Sequence, residues 1–254
     1  MEKIIGILGG MGPAAGGFLH QKIISRNFNA KKDADYPRIL LFSDTTIPNR
    51  VDAFRRGSCD PIKPIVSALK RMQDFGVCHV VMACNTAHIW FDQIEREVSM
   101  DLISVIDLVA NDLDKNTNIK KDKVLVLGTS ATVDAHLYGS VLSEKKIDFF
   151  YPLPFYQTLV DLAIADEVHG IKSSGSIVSQ QAMKNLDAVI LYAKKSGVNT
   201  ILLGCTELSI AIESREYLGC RVIDPINIIS DRFSEICTSM LPKCEEFSIE
   251  ANYS

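Results

Sequence analysis

Two of the seven cysteines in this 254-residue chain sit where they could do matched chemistry. Cys84 lies in Met82-Ala83-Cys84-Asn85-Thr86 and Cys205 in Leu203-Gly204-Cys205-Thr206-Glu207. Each directly follows an apolar, strand-like run and opens a helix-like stretch. A helix N-terminus presents free N–H groups and partial positive charge, which favours thiolate over thiol. Two such thiols facing one cleft suit inversion of a stereocentre: a base takes a proton from one face of a carbon and an acid returns one to the other. The reverse direction swaps the roles, so two groups of one type and similar acidity are called for. A thiol needs only a modest fall from about 8.5 to work near neutral pH. Asn85, Thr86 and Thr206, at the two helix starts, are placed to receive a carboxylate through side chains and backbone N–H groups.

Other readings of the same residues carry less. His88 lies one helical turn after Cys84, a conceivable metal pair, but no second pair has ligand spacing and no metal is expected. A Cys84–His88 nucleophilic dyad leaves Cys205 without a role. Glu207 is either a helix-start carboxylate or a group that orients a neighbour. Gly10-Met11-Gly12-Pro13-Ala14-Ala15 formally fits the dinucleotide pattern G-x-G-x-x-A. Pro13, however, removes an N–H that would meet a pyrophosphate, and the acidic candidates Asp33 and Asp35 fall in a Lys-rich loop. The better reading is a tight turn with Pro13 in the first helical turn, bringing the Gly9–Gly12 backbone near a small ligand. The other five cysteines are expected to be small buried apolar groups. Their number is odd and there is no C-x-x-C pair, so no disulfide framework is expected.

The elements that must position these groups alternate along the chain. Lys3–Leu8, Arg38–Phe42, Val77–Ala83 and Leu102–Ile106 read as strands with helices between them. Lys123–Leu127, Asp148–Tyr151, Val198–Leu203 and Cys220–Ile223 repeat the pattern. Near-continuous apolar strands suit parallel sheets buried on both faces, and alternation of strand with helix implies an α/β fold. The two passes match in detail. Gly9 precedes Cys84 by 75 positions and Gly128 precedes Cys205 by 77, and each cysteine is followed by a helix-like stretch and a short strand ending Val-Ile-Asp, at 105–107 and 222–224. The polar segment Lys115–Lys123 separates them like a linker. The chain therefore reads as an internal duplication of one α/β unit. Ligands bind beyond the carboxyl ends of parallel strands, which is where both cysteines stand.

Composition sets the outer bounds. An apolar fraction of 47% with 23% charged residues is that of an ordinary globular protein. A formal charge of −4 gives no reason to expect nucleic-acid or anionic-membrane partners. No apolar stretch approaches the roughly 18–20 residues of a membrane span, and the start lacks the layout of a signal peptide. A cytoplasmic location is expected.

Gly9-Gly10-Met11-Gly12-Pro13, Ala83-Cys84-Asn85-Thr86-Ala87-His88 and Gly204-Cys205-Thr206-Glu207 together resemble the aspartate/glutamate racemase family, and within it the aspartate racemase branch. The resemblance covers nearly the whole chain. It implies two pseudo-symmetric parallel-sheet domains with the active site in the cleft between them, residues 1–101 plus 217–254 against 102–216. It also implies no pyridoxal phosphate and no metal, a homodimer, and a final segment that returns to the first domain. Cys84 and Cys205 match the two catalytic bases, with the usual assignment giving Cys84 the D-face. Asn85, Thr86 and Thr206 match positions that hold the α-carboxylate and amino group. Met11 falls in the glycine loop at the mouth of the site. Ile47-Pro48-Asn49-Arg50 resembles the Ile-Pro-Asp-Arg segment whose arginine takes the side-chain carboxylate, a role suited to a bidentate guanidinium. Thr129 and Ser130 fall in the second domain's Gly-Thr loop, and the family lysine falls to Lys172 or His169. There are departures: Ala14-Ala15-Gly16 replaces Leu-Ala-Thr, and Asn49 and Val51 stand where Asp and Thr are common. The function implied is that of an aspartate or glutamate racemase. A cysteine-dependent isomerase or lyase of a small dicarboxylate and a non-catalytic binding relative are the rivals.

Overall fold

Apolar runs with period two or no period at all become two sheets, each covered by helices on both faces. The computed structural model describes residues 4–26, 30–115, 117–175 and 177–240. The first half runs β1 (Ile4–Gly9), α1 (Pro13–Ser25), β2 (Ile39–Ser43), α2 (Arg50–Arg56), α3 (Ile62–Asp74), β3 (Val77–Met82), α4 (Phe91–Glu95), β4 (Asp101–Ile103) and α5 (Val105–Lys115). The second runs β5 (Lys123–Leu127), α6 (Ser130–Asp134), α7 (Leu137–Glu144), β6 (Asp148–Phe150), α8 (Pro154–Ala165), α9 (Ile171–Ser174), α10 (Gln180–Lys194), β7 (Thr200–Leu203), α11 (Leu208–Ala211), β8 (Glu216–Tyr217), β9 (Cys220–Ile223) and α12 (Pro225–Met240).

The sheets share one topology. The first is ordered β2-β1-β3-β4 and the second β6-β5-β7-β9-β8. All pairs are parallel except β8–β9, so β1, β2, β3 and β4 correspond to β5, β6, β7 and β9. Successive residues of the central strands feed opposite faces, as the pleat demands. Ile5 and Ile7 join one core with Leu19, Ile229 and Phe233, while Ile4 and Leu8 join another with Leu69 and Met82. Leu125 and Leu127 pack with α8 and α10, and Val124 and Val126 with Leu113 and Leu142.

Local chemistry sets the turns at the carboxyl ends of the strands. Gly10 takes φ +88°, and a Cβ there would come within 2.3 Å of the Asp44 backbone, so the turn after β1 admits only glycine. Pro13 starts α1, as its fixed φ and missing N–H suit. Asn49 caps α2 by accepting from the Val51 and Asp52 N–H groups, and Gly57 ends it in the left-handed region.

Several boundaries differ from those expected. The strand read as Leu102–Ile106 ends at Ile103, because Val105 and Ile106 form the first turn of α5. The Val-Ile-Asp landmarks are therefore not equivalent, since 222–224 ends a strand and 105–107 lies in a helix. The linker Lys115–Lys123 includes a 3₁₀ turn, Thr117–Lys121, that buries Ile119 in the second half's core. The division between halves moves at both crossings. Leu102 and Ile103 pair with Val80 and Val81 in the first sheet, and Cys220–Ile223 belongs to the second. Only α12 returns to the first half, against α1 and α5. Of the other cysteines, Cys220 is buried, Cys78 half-buried and Cys59 exposed, contrary to the expectation of burial for all. The Cys237 side chain and Cys244, like Lys3 of the first expected strand, lie outside the described residues. Among the described residues, no helix is long and apolar enough to cross a membrane.

Candidate active site

The matched turns after β3 and β7 put Cys84 and Cys205 on the wall of one small cavity. Arg50, Asn85, Thr86, Thr129, Lys172 and Thr206 line it with them, as do Asn49, Val51 and Glu207. Eight of the ten residues singled out in the sequence meet there. Met11 and Ser130 do not reach the wall. The Met11 side chain packs into the first half's core, and what it offers the site is its carbonyl, held by the Arg50 guanidinium and by Lys172 Nζ at 3.2 Å. Ser130 turns its N–H to Asp161 Oδ1 at 2.9 Å. Of the two candidates near Gly170, Lys172 faces the cavity, whereas His169 is exposed with its N–H on Asp166.

Each half holds the other's loop. Thr206 Oγ1 donates to Ala83 O at 3.2 Å and Asn85 Nδ2 to Leu203 O at 3.4 Å. Glu207, buried, accepts from Gly12 N–H at Oε1, 3.0 Å, and from the Cys205 thiol at Oε2, 3.0 Å. Lys172 Nζ lies 3.8 Å from Oε1. A Cβ on Gly12 would approach Oε1 to 2.7 Å, so the glycine is what lets the loop donate. Glu207 is thus an orienting group, the second of the two roles its sequence position allowed.

The electrostatics separate Cys205 from the expectation of a lowered pKa. Burial pushes its thiol well up, the Glu207 charge and the hydrogen bond to it add to the rise, and Lys172 opposes them. Cys205 therefore holds its proton at neutral pH. The helix-start argument fails at Cys205 because α11 is only four residues long. Burial lowers the Lys172 pKa, but Glu207, Cys205 and Cys84 outweigh it and the net shift is upward. Lys172 stays an ammonium.

His88 is a strut. Its Nδ1 lies 3.0 Å from Cys84 O, and its Nε2 accepts from Val105 N–H at 3.0 Å, an arrangement that fits the neutral tautomer protonated on Nδ1. Burial lowers its pKa to about 4, against a smaller upward pull from its Cys84 carbonyl partner. With both nitrogens engaged it offers a metal no lone pair. No group of three or more His, Cys, Asp or Glu among the described residues could hold one.

Two buried polar atoms of cavity-lining residues lack hydrogen-bond partners among the described residues: Asn85 Oδ1 and Arg50 Nε. The rest of the Arg50 guanidinium is fixed by carbonyls, Nη1 on Ile47 O at 3.1 Å and Pro48 O at 2.7 Å, and Nη2 on Met11 O. Buried polar groups are normally satisfied, so an orphan acceptor and an orphan donor in one cavity mark places for a ligand's cation and anion.

Comparison with known proteins identifies the fold and the family. The chain resembles the aspartate racemase of Picrophilus torridus at 31% identity, with a TM-score of 0.78 over 93% of this chain and 94% of that one. An aspartate racemase homologue from Pyrococcus horikoshii OT3 aligns at 26% identity, TM-score 0.68, over 94% of this chain and all of the other. The broad specificity amino-acid racemase RacX of Bacillus subtilis (strain 168) is 25% identical over 215 residues, 83% of this chain and 88% of its own length. The family model for Asp/Glu/hydantoin racemases matches residues 8–231, and the chain belongs to that family.

Proposed function

We propose that the protein interconverts L- and D-aspartate by passing the α-proton between Cys84 and Cys205, with no cofactor. The observation that carries this reading is the pair of thiols on one cavity wall beside an unpartnered Arg50 Nε–H and an unpartnered Asn85 Oδ1. In the direction that starts at Cys84, its thiolate takes the α-proton, and the electron pair left on Cα delocalises into the α-carboxylate. The Thr86 and Thr129 hydroxyls stabilise the charge that develops there. The Cys205 thiol then delivers its proton to the opposite face, leaving Cys84 as thiol and Cys205 as thiolate. Asn85 Oδ1 accepts from the substrate ammonium, and Arg50 Nε–H with Lys172 takes the side-chain carboxylate.

The test is incubation with L-aspartate, and separately L-glutamate, in D₂O without added cofactor, following the α-proton by NMR and chirality on a chiral column. Exchange with inversion, abolished in both Cys84→Ala and Cys205→Ala, is the expected result. Absence of exchange from both amino acids would overturn it in favour of a racemase of another acid or one of the rivals, and a covalent adduct with maleate seen by mass spectrometry would favour the nucleophilic isomerase or lyase.

A further inference from the structure

Three buried hydroxyls meet where the two halves touch. Thr86 Oγ1, from the first half, lies 3.0 Å from Thr129 Oγ1 and 3.1 Å from Thr132 Oγ1, and the last two are 3.1 Å apart. Thr129 Oγ1 also accepts from the Thr132 N–H at 3.2 Å as the cap of α6. Thr86 and Thr129 line the cavity, whereas Thr132 stands behind them, 1% exposed. Its methyl is set against Gly128, where a Cβ would approach it to 3.0 Å. Either hydroxyl of each edge can donate, so three hydroxyl hydrogens can serve the three edges of this triangle, one each. With the ring closed, no hydroxyl hydrogen points into the cavity.

An anion in the cavity changes that count. If Thr86 and Thr129 turn their hydrogens toward a carboxylate, the Thr132 hydrogen can serve only one edge, so two ring bonds are exchanged for two bonds to the ligand. Without the Thr132 hydroxyl a single edge, Thr86–Thr129, remains, and occupation breaks one internal bond rather than two. We propose that Thr132 is a positioning residue that closes a hydroxyl ring in the empty site, holding the Thr86 and Thr129 donors back until a substrate carboxylate draws them out. The ring so weakens substrate binding and eases release. This rests on the racemase reading only in taking the ligand to be a carboxylate.

Thr132→Val and Thr132→Ala, the second without the risk of overpacking, are compared with Thr132→Ser and wild type. Affinity for succinate by calorimetry and KM and kcat for both aspartate enantiomers are measured. The expected result is succinate binding and KM about fivefold tighter in the Val and Ala variants, equivalent to ~1 kcal/mol. In both, kcat stays within about twofold and the Tm is lower, while the Ser variant stays at wild-type values. A residue with only a structural role would lower the Tm with KM unchanged or raised. That pattern, or a Ser variant that behaves like Ala, overturns the proposal. Racemisation absent from the wild type sinks the functional reading while the succinate ratios still judge the ring. A wild type that binds neither succinate nor aspartate overturns both.

Discussion

A thiol that donates to a carboxylate keeps its proton, and Cys205 does so against Glu207. Burial is the first cause of its raised pKa and Glu207 the second, so Glu207→Gln should bring the thiol partway down. The check is the pH dependence of Cys205 alkylation, read by peptide mass spectrometry, with the variant's midpoint below that of wild type. On the proposed mechanism racemisation should fall about tenfold or more, because Cys205 as proton donor loses the carboxylate that orients it. An unshifted alkylation profile would show that the carboxylate does not act on the thiol. The cysteine pair and the helix-start polar residues were legible from residue type and spacing, whereas Arg50 was legible only through the resemblance of Ile47-Pro48-Asn49-Arg50 to a family segment. The role of Glu207 was not. Whether a side chain two residues on turns back to the thiol depends on the Gly12 N–H 195 positions away in the chain. Nor could spacing show that three carbonyls from the surrounding turns hold the Arg50 guanidinium and leave Nε–H over.

Elements meet at His88, which ties the turn after β3 to the first turn of α5. Its pKa is about 4 in the folded protein and about 6.5 when unfolded, so between those values the unfolded chain binds more protons. Stability contributed by neutral His88 is full above pH 6.5 and is lost as pH falls toward 4, by about 3 kcal/mol over that window. Urea titrations at pH 7 and 5 should show this as a drop in midpoint. In His88→Phe, which keeps the face that stacks on Phe91, the acid-dependent part should shrink. The variant should also lose about 2 kcal/mol at pH 7 from two stranded backbone groups. An equal pH dependence in both proteins would place the acid sensitivity elsewhere. The same contact explains why the strand reading at 102–106 overran. Val105 and Ile106 carry β-branched side chains, but the His88 ring satisfies the Val105 N–H and helix follows, a tertiary override of local preference. The two residues of β8 are too few for any periodicity to reveal.

At the scale of the molecule, duplication was legible because the glycine turn and the cysteine turn recur at nearly the same spacing, 75 and 77 positions. Although the Val-Ile-Asp landmarks proved not to be equivalent, the two sheets share one strand order. Size of cavity would have misdirected the search. A groove of about 680 Å³ beside β4, lined by Asp101, Asp107, Asp112, Asp231 and Glu235 among others, holds neither thiol. The small cavity draws its wall from both halves, so a dicarboxylate bound there should stabilise the whole. Succinate at a hundred times its Kd should add about 2.7 kcal/mol, which raises the Tm by roughly 5–10 °C in a chain of this size. Arg50→Ala should remove most of that rise, and a rise that survives the substitution would locate the anion elsewhere. The return of α12 to the first half has a bearing on biosynthesis. Residues 123–223, contiguous in the chain, supply the whole second sheet, whereas Ile5, Ile7 and Leu19 must wait for Ile226, Ile229 and Phe233. As the nascent chain leaves the ribosome, the half made first is the half completed last. Until α12 emerges, the apolar face of β1 and α1 is the surface that a chaperone would find.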